Sequence, residues 1–211
     1  MSILAKGFLS ENRTPEEMFI RDYAELSKAS DACKALGLRV GLTQGSFDVK
    51  HIGHDRYLMA AKNECDVLFV GIDSDDKIRK RKGPTRPVVS EKERVEQLCH
   101  LRWVNVVTLK ESSYPHHSLQ KAVRPDVIII STQTKKGEEV PEYSPEEIQE
   151  LKQYCGEVKI LPPQAPTSTT ARIRTLMLDF KDHLRTKIAQ ELPAFVDRVA
   201  DEFFRPAKGE D

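Results

Sequence analysis

The sequence predicts an α/β fold, a parallel sheet of about five strands with helices on both faces. Three observations predict it. Short apolar strands alternate with helix signals along most of the 211 residues, the order of βαβ units with right-handed crossovers. The segment 67–72 (VLFVGI) is apolar on both of its faces, as a strand covered from above and below must be. Between strands, helix-start chemistry recurs at Thr14-Pro15-Glu16-Glu17, Ser90 with Glu93, and Ser144-Pro145-Glu146-Glu147: a hydroxyl that caps, proline in the first turn in two cases, and glutamate completing the box.

Taken in order, Thr14 opens a helix over 15–36. Met18, Tyr23, Leu26, Ala29, Cys33 and Leu36 recur there at helical spacing, and Gly37 ends it. Leu38 to Thr43 is the first strand. His54 to Lys62 is helical, with Tyr57, Leu58 and Ala61 on one face. After the strand 67–72, Ser90 starts a helix carrying Val95, Leu98 and Leu101. Strand 104–109, a helix from near Ser118, strand 126–130, a helix from Ser144 to near Gly156 and strand 158–161 follow. A long amphipathic helix then begins near Thr170. In such Rossmann-like folds ligands sit beyond the carboxyl ends of the strands, so chemistry is expected just after Thr43, Ile72, Ile130 and Leu161.

Composition narrows the function classes. Lys plus Arg and Asp plus Glu both total 33, giving no net charge, whereas a protein that coats nucleic acid needs an excess of basic groups. With 39% apolar and 31% charged residues the chain is expected to be globular. No apolar run approaches the roughly 20 residues that span a bilayer, and the Met1 region lacks a secretory pattern. Cys33, Cys65, Cys99 and Cys155 are widely spaced with no C-x-x-C pair, which reads as reduced thiols in a cytoplasmic protein.

The usual nucleotide loops are excluded: no Gly-x-Gly and no Gly-Lys-Ser/Thr occurs. The first strand instead runs into Gly45-Ser46-Phe47-Asp48-Val49-Lys50-His51-Ile52-Gly53-His54. Histidines three apart at a helix start share one side. Gly53 is expected to let a ligand approach the backbone. Free helix N–H groups and two imidazoles suit a polyphosphate. Phe47 reads as core, while Asp48 is divided between holding the loop and catalysis. Lys77, Arg79, Lys80, Arg81, Lys82 and Arg86 form a basic run, most of it a solvated face. Lys82 beside Gly83-Pro84 and Arg86 before Pro87 are the phosphate candidates. His116-His117 reads as a surface pair without a ligand cluster.

These segments, in order, resemble the small HxGH nucleotidyltransferases of the cytidylyltransferase-like group. The motifs are Gly45-Ser46-Phe47-Asp48 into His51-Ile52-Gly53-His54, Val70-Gly71-Ile72-Asp73-Ser74-Asp75, Lys82-Gly83-Pro84-Thr85-Arg86-Pro87 and Ser168-Thr169-Thr170. The resemblance covers about Glu25 to Arg174, and from Val70 to Pro87 it is most like the nucleotidyltransferase domain of ADP-heptose synthases. It implies a nucleotidyltransferase fold and transfer of a nucleoside monophosphate from ATP or CTP to a small phosphorylated acceptor, such as a sugar or alcohol phosphate, with release of pyrophosphate. It further implies His51, His54 and Lys82 as catalytic residues. Gly45, Ser46, Phe47, Gly53, Asp73, Arg86, Ser168, Thr169 and Thr170 are implied as nucleotide-binding, and Mg²⁺ as carried by the phosphates. Arg94 matches an arginine that such chains often show, with a structural and a functional role equally open.

Two departures bear on the acceptor. Ser131 to Gly137 (STQTKKG) replaces a Lys-Gly-Gly-Asp-Tyr-like segment, and an acidic, prolyl insertion follows up to Ser144. Gln164-Ala165-Pro166-Thr167 replaces the Arg-Thr-x-Gly lead of glycerol-phosphate cytidylyltransferases. A nucleotide-binding regulatory module that has lost its acceptor is the alternative reading. The expected domains are 1–175, including the N-terminal helix, and a C-terminal helical extension over 176–211. There Met177, Phe180, Leu184 and Ile188 form one stripe and Pro193 breaks or kinks the helix. That stripe either covers the domain or forms a homodimer surface.

Overall fold

A computed structural model describes residues 13–135, 138–165 and 169–204. The helix expected over 15–36 is two. Thr14 caps α1 (Pro15–Met18) through a reciprocal box with Glu17. Phe19 then leaves the helix in an extended conformation and bridges Val107. Asp22 restarts the chain as α2 (Tyr23–Ala35), its carboxylate accepting from the amides of Ala24 and Glu25 at 2.8 and 2.9 Å. A second side-chain cap inside an apolar-periodic stretch is what divides it, because it satisfies the amides that a new helix start leaves open.

From there the alternation runs as expected, with two additions. The elements are β1 (Val40–Gly45), α3 (Ile52–Lys62), β2 (Val67–Asp73), α4 (Asp75–Lys82), α5 (Glu91–Cys99), β3 (Val106–Lys110), α6 (Ser118–Val123), β4 (Val127–Lys135), β5 (Glu138–Pro141), α7 (Pro145–Leu151) and β6 (Glu157–Leu161). The additions are α4, capped by Ser74 over the basic run, and β5, which lies in the insertion and pairs antiparallel with Thr132–Lys135. The sheet therefore has six strands. The parallel part is ordered β3-β2-β1-β4-β6, a mostly parallel α/β sheet in which the order reverses between β1 and β4.

That reversal positions the site. β1 and β4 pair only through Gly41–Val127 and Leu42–Ile128, so beyond those residues their carboxyl ends diverge and leave a crevice, the usual ligand position of such sheets. Two apolar clusters hold the layers together. Leu58, Leu68, Val70, Ile72, Leu98 and Ile129 belong to one, which takes in α3 and α5. Leu26, Leu42, Phe69, Leu119, Ile128 and Leu151 belong to the other, which takes in α2, α6 and α7. Each fully buried side chain of this size contributes roughly 1.5–3 kcal/mol.

The chain divides into two compact units, 1–167 and 168–211. The second contains α8 (Thr169–Phe204), which continues through Pro193 as one helix, so no break occurs there. Met177, Phe180, Leu184, Ile188 and Phe195 are exposed along it. Among the described residues, no helix is long and apolar enough to cross a membrane.

Candidate active site

The loop from β1 to α3 is shaped by its own sequence. Phe47 and Val49 both adopt left-handed backbone angles, φ of 48° each, a costly conformation for non-glycine residues that the surroundings must hold in place. Phe47 is anchored by burial at 5% exposure, with its ring 5.5 Å from that of His54. Gly45 makes room for it: a Cβ there would lie 3.1 Å from the Phe47 ring. Asp48, 3% exposed, accepts from the amides of Val88 and Val89 at 3.0 Å each and pairs with Arg86 at 2.9 Å. Asp48 therefore holds the 86–89 loop against the 46–50 loop, the structural side of its two sequence readings. Its partner Arg86 already has a carboxylate to bind.

His51 and His54 cap α3 for each other. His51 Nδ1 accepts from the Gly53 amide at 3.1 Å, and His54 Nδ1 accepts from the His51 amide at 3.3 Å. The ring centroids are 4.1 Å apart. A neutral imidazole that accepts through Nδ1 carries its proton on Nε2, so both rings become Nε2–H donors. Burial, then the neighbouring His51, pushes the His54 pKa down to about 4, which keeps that ring neutral near pH 7. Gly53 has a role within the loop itself. A Cβ would lie 2.8 Å from Cε1 and 2.9 Å from Nδ1 of His51, so the glycine accommodates the His51 ring itself.

The end of α4 meets the same loop. Ser46 Oγ accepts from Arg81 Nη2 at 2.7 Å and from Lys82 Nζ at 3.3 Å. Burial, then the adjacent Arg81 and Arg86, lowers the Lys82 pKa. Arg81 also reaches Asp73 Oδ2 at 2.8 Å, and Lys110 Nζ lies 3.4 Å from Asp73 Oδ1. Asp73 is 2% exposed. Burial raises its pKa, but Lys110 and Arg81 outweigh that and the net direction is down. It is a buried carboxylate kept charged by two cations.

Beneath these groups lies Arg94, fully buried. It donates to the carbonyls of Val89 (3.0 Å), Ser46 (2.6 Å) and Asp73 (2.9 Å), and pairs with Asp75 at 2.8 Å. It ties the loops after β1 and β2 to the loop before α5.

The structure thus brings Gly45, Ser46, Phe47, His51, Gly53, His54, Asp73, Lys82 and Arg86 to the carboxyl ends of β1 and β2. Ser168 lies outside the described residues. Thr169 and Thr170 form the first turn of α8, in the second unit. Sequence reasoning passed over Lys110, Gln44, Gln120 and Tyr143, and read Arg81 only as part of a basic run that is mostly a solvated face. Lys110 pairs in register with Asp73 across adjacent strands, and Arg81 sits two turns after Asp73 on α4. Either relationship was visible only once the register and that helix were known. For His116 and His117 the structure adds Glu150 from α7, whose Oε2 is 3.2 Å from His117 Nε2. Among the described residues these three form a cluster with metal-ligating atoms.

Known proteins are similar to this chain. The bifunctional protein HldE of Nitratiruptor sp. is 37% identical over 131 residues, 62% of this chain and 28% of that protein. HldE of Caulobacter vibrioides is 42% identical over 115 residues, 54% of this chain and 24% of that protein. The chain thus spans about a quarter of the length of these curated relatives. Among solved structures, the lipopolysaccharide core biosynthesis protein from Thermoplasma volcanium GSS1 aligns with a TM-score of 0.49 at 23% identity, over 60% of this chain and 97% of that one. The cytidylyltransferase-like family matches residues 42–178, a span that runs from β1 into α8 and takes in the whole histidine, lysine and arginine constellation. By that match, over more than half of its length, the chain belongs to the cytidylyltransferase-like family of nucleotidyltransferases.

Proposed function

We propose that the protein transfers a nucleoside monophosphate from ATP or CTP to a small phosphorylated acceptor, a sugar or alcohol phosphate, and releases pyrophosphate. The observation that carries this reading is the reciprocal His51–His54 cap, which commits both rings to Nε2–H donation at the start of α3. An acceptor phosphate is an anion near neutral pH and attacks the α-phosphorus without a strong base. Catalysis then reduces to positioning and to stabilising charge as pyrophosphate leaves. His51 and His54 donate to the phosphates, and Lys82, held near Ser46, balances their charge. Gly45, Phe47 and Gly53 shape the loop around the nucleotide. Ser168, Thr169 and Thr170 bind its terminal phosphates, using hydroxyls and helix-start amides.

Mg²⁺ belongs to this reading as an ion carried by the triphosphate. The buried carboxylates nearest the loop, Asp48 and Asp73, are engaged by Arg86 and by Arg81 with Lys110. The residues present therefore fit an ion that arrives with oxygen ligands of its own, and when bound it would neutralise phosphate charge. The four free cysteines support placing the reaction in the cytoplasm. A second copy of the chain is the further partner we propose, through the exposed stripe of α8. Sedimentation before and after truncation beyond Arg174 tests it, and an unchanged oligomeric state in a folded truncated chain refutes it.

Pyrophosphate release, assayed with each of the four nucleoside triphosphates against a panel of sugar and alcohol phosphates, tests the activity. Turnover that needs both a triphosphate and a phosphorylated acceptor supports it. Tight nucleotide binding with no turnover for any pair would instead favour a regulatory module.

A further inference from the structure

The turn that opens α6 draws together side chains that the proposed transfer leaves unused. Neighbouring residues of an extended chain point to opposite sides, yet the rings of His116 and His117 lie 4.0 Å apart, centroid to centroid. The backbone of His117 is left-handed, with φ of 61°, and that bend brings the rings together. It is a costly conformation for a residue other than glycine. Helix capping does not offset the cost, because His117 is the N-cap of α6 and its side chain makes no capping hydrogen bond. The ring is held from the side instead. It stacks on Tyr154, with centroids 5.0 Å apart and planes 28° from parallel, and its Nε2 meets Glu150 Oε2 of α7 at 3.2 Å.

These distances match a metal tetrahedron. Zn²⁺ takes imidazole nitrogen and carboxylate oxygen at about 2.0–2.2 Å, which sets neighbouring ligand atoms of a tetrahedral site about 3.3–3.5 Å apart. The His117–Glu150 contact, at 3.2 Å, already stands close to that edge. One ligand atom from each of His116, His117 and Glu150 lies within 4.8 Å of the other two, so the remaining edges close with a shift of about 1.5 Å. His116 and Glu150 are exposed, where a change of rotamer costs little. Two imidazoles and a carboxylate suit a borderline ion such as Zn²⁺, whereas Mg²⁺ selects oxygen ligands. Among the described residues no other group of three His, Cys, Asp or Glu brings its ligand atoms this close together.

We infer that His116, His117 and Glu150 form a zinc-binding site, with water as the fourth ligand, and that the bound ion fastens α7 to the turn before α6. The histidines precede β4 and β5 in the chain and Glu150 follows them, so the ion joins the two ends of the segment that carries the β4–β5 hairpin. This site is separate from the Mg²⁺ that the triphosphate carries, and its three ligands take no part in the proposed transfer.

The test uses the full chain, stripped of metal by a chelator, with Zn²⁺ alone as the probe. Competition against a chromophoric chelator should show a tight site that an excess of Mg²⁺ leaves loaded, and Co²⁺ in its place should give the strong visible bands of a tetrahedral ion. His116→Ala, His117→Ala and Glu150→Gln should each weaken Zn²⁺ binding by at least about tenfold, the least that even outer-shell partners of a metal cost, and should remove those bands. Zn²⁺ should also slow amide hydrogen exchange in α7 of the unaltered chain and not in Glu150→Gln. Absence of binding to the unaltered chain overturns the inference, as does equal binding in all three variants or displacement by Mg²⁺. Binding without slower exchange in α7 overturns the fastening role. Glu150→Gln keeps the size of an exposed side chain, so the test stands if a histidine variant does not fold. None of these readings needs turnover, so they hold whether or not nucleotidyl transfer is found.

Discussion

His54 accepts the backbone amide of His51 through Nδ1 at 3.3 Å, so the second histidine fixes the N-cap of its own helix while its far nitrogen carries the proton. One pair of rings serves as helix cap and as anion donor, and the two roles need the same tautomer. Replacing His54 by Ala should lower turnover by about 10² or more, the magnitude for loss of an oxyanion donor, with the far-ultraviolet circular dichroism spectrum retained. Unchanged pyrophosphate release from a folded His54→Ala chain would refute its place in the chemistry.

The same ring makes stability pH-dependent. His54 titrates near 4 in the folded chain and near 6.5 when unfolded, so the unfolded chain binds more protons between those values. Its contribution is complete above about pH 6.5 and declines as pH falls to about 4, by about 3 kcal/mol at most. Urea unfolding from pH 7 to pH 4 should show this decline, and a His54→Gln chain should lack that component. Equal slopes in the two chains would contradict it.

Gly53→Ala separates the ring from the helix. Alanine favours the helix over glycine by roughly 0.5–1 kcal/mol, but its Cβ would occupy the place of the His51 ring. Thermal stability should stay within about 1 kcal/mol while pyrophosphate release falls by at least about tenfold, as expected for a misplaced reacting group. Full activity would show that the His51 ring position is immaterial.

Arg94→Met should be among the most damaging changes in the chain. It removes a buried guanidinium and leaves the carbonyls of Val89, Ser46 and Asp73 without that donor. Breaking such a buried charged cluster costs about 3–5 kcal/mol, measurable as a lower urea midpoint. Arg94→Lys should recover only part of it, because a single ammonium cannot match the planar fork. A loss below about 1 kcal/mol for Arg94→Met would show that the cluster carries little stability.

Asp48→Ala and Asp48→Asn should differ. The asparagine oxygen can still accept from Val88 and Val89, whereas the ion pair with Arg86 is lost. Alanine loses both, so it should cost about 1–3 kcal/mol more. Equal costs would mean that the ion pair, and not the amide contacts, orders that loop.

Where one short segment held the whole signal, the sequence was readable. The strand–loop–helix order placed His51 and His54 at a sheet edge, and Ser90 and Ser144 marked helix starts that the structure repeats. The misses were non-local or were decided by competition. Asp22 is an ordinary polar residue in a helical pattern until its carboxylate takes the amides of Ala24 and Glu25. The Asp73–Lys110 pair depends on the register of two strands separated by two helices. Tyr143 sits in a stretch with no periodicity, and its place against Gln44 follows from the β4–β5 pairing alone.

Arg94 grips main-chain oxygens at residues 46, 73 and 89, and every amino acid supplies such an oxygen. The side chains at those three positions can therefore be exchanged without loosening the anchorage below them. A lineage could retune what the rim recognises, one substitution at a time, while the platform underneath stays seated.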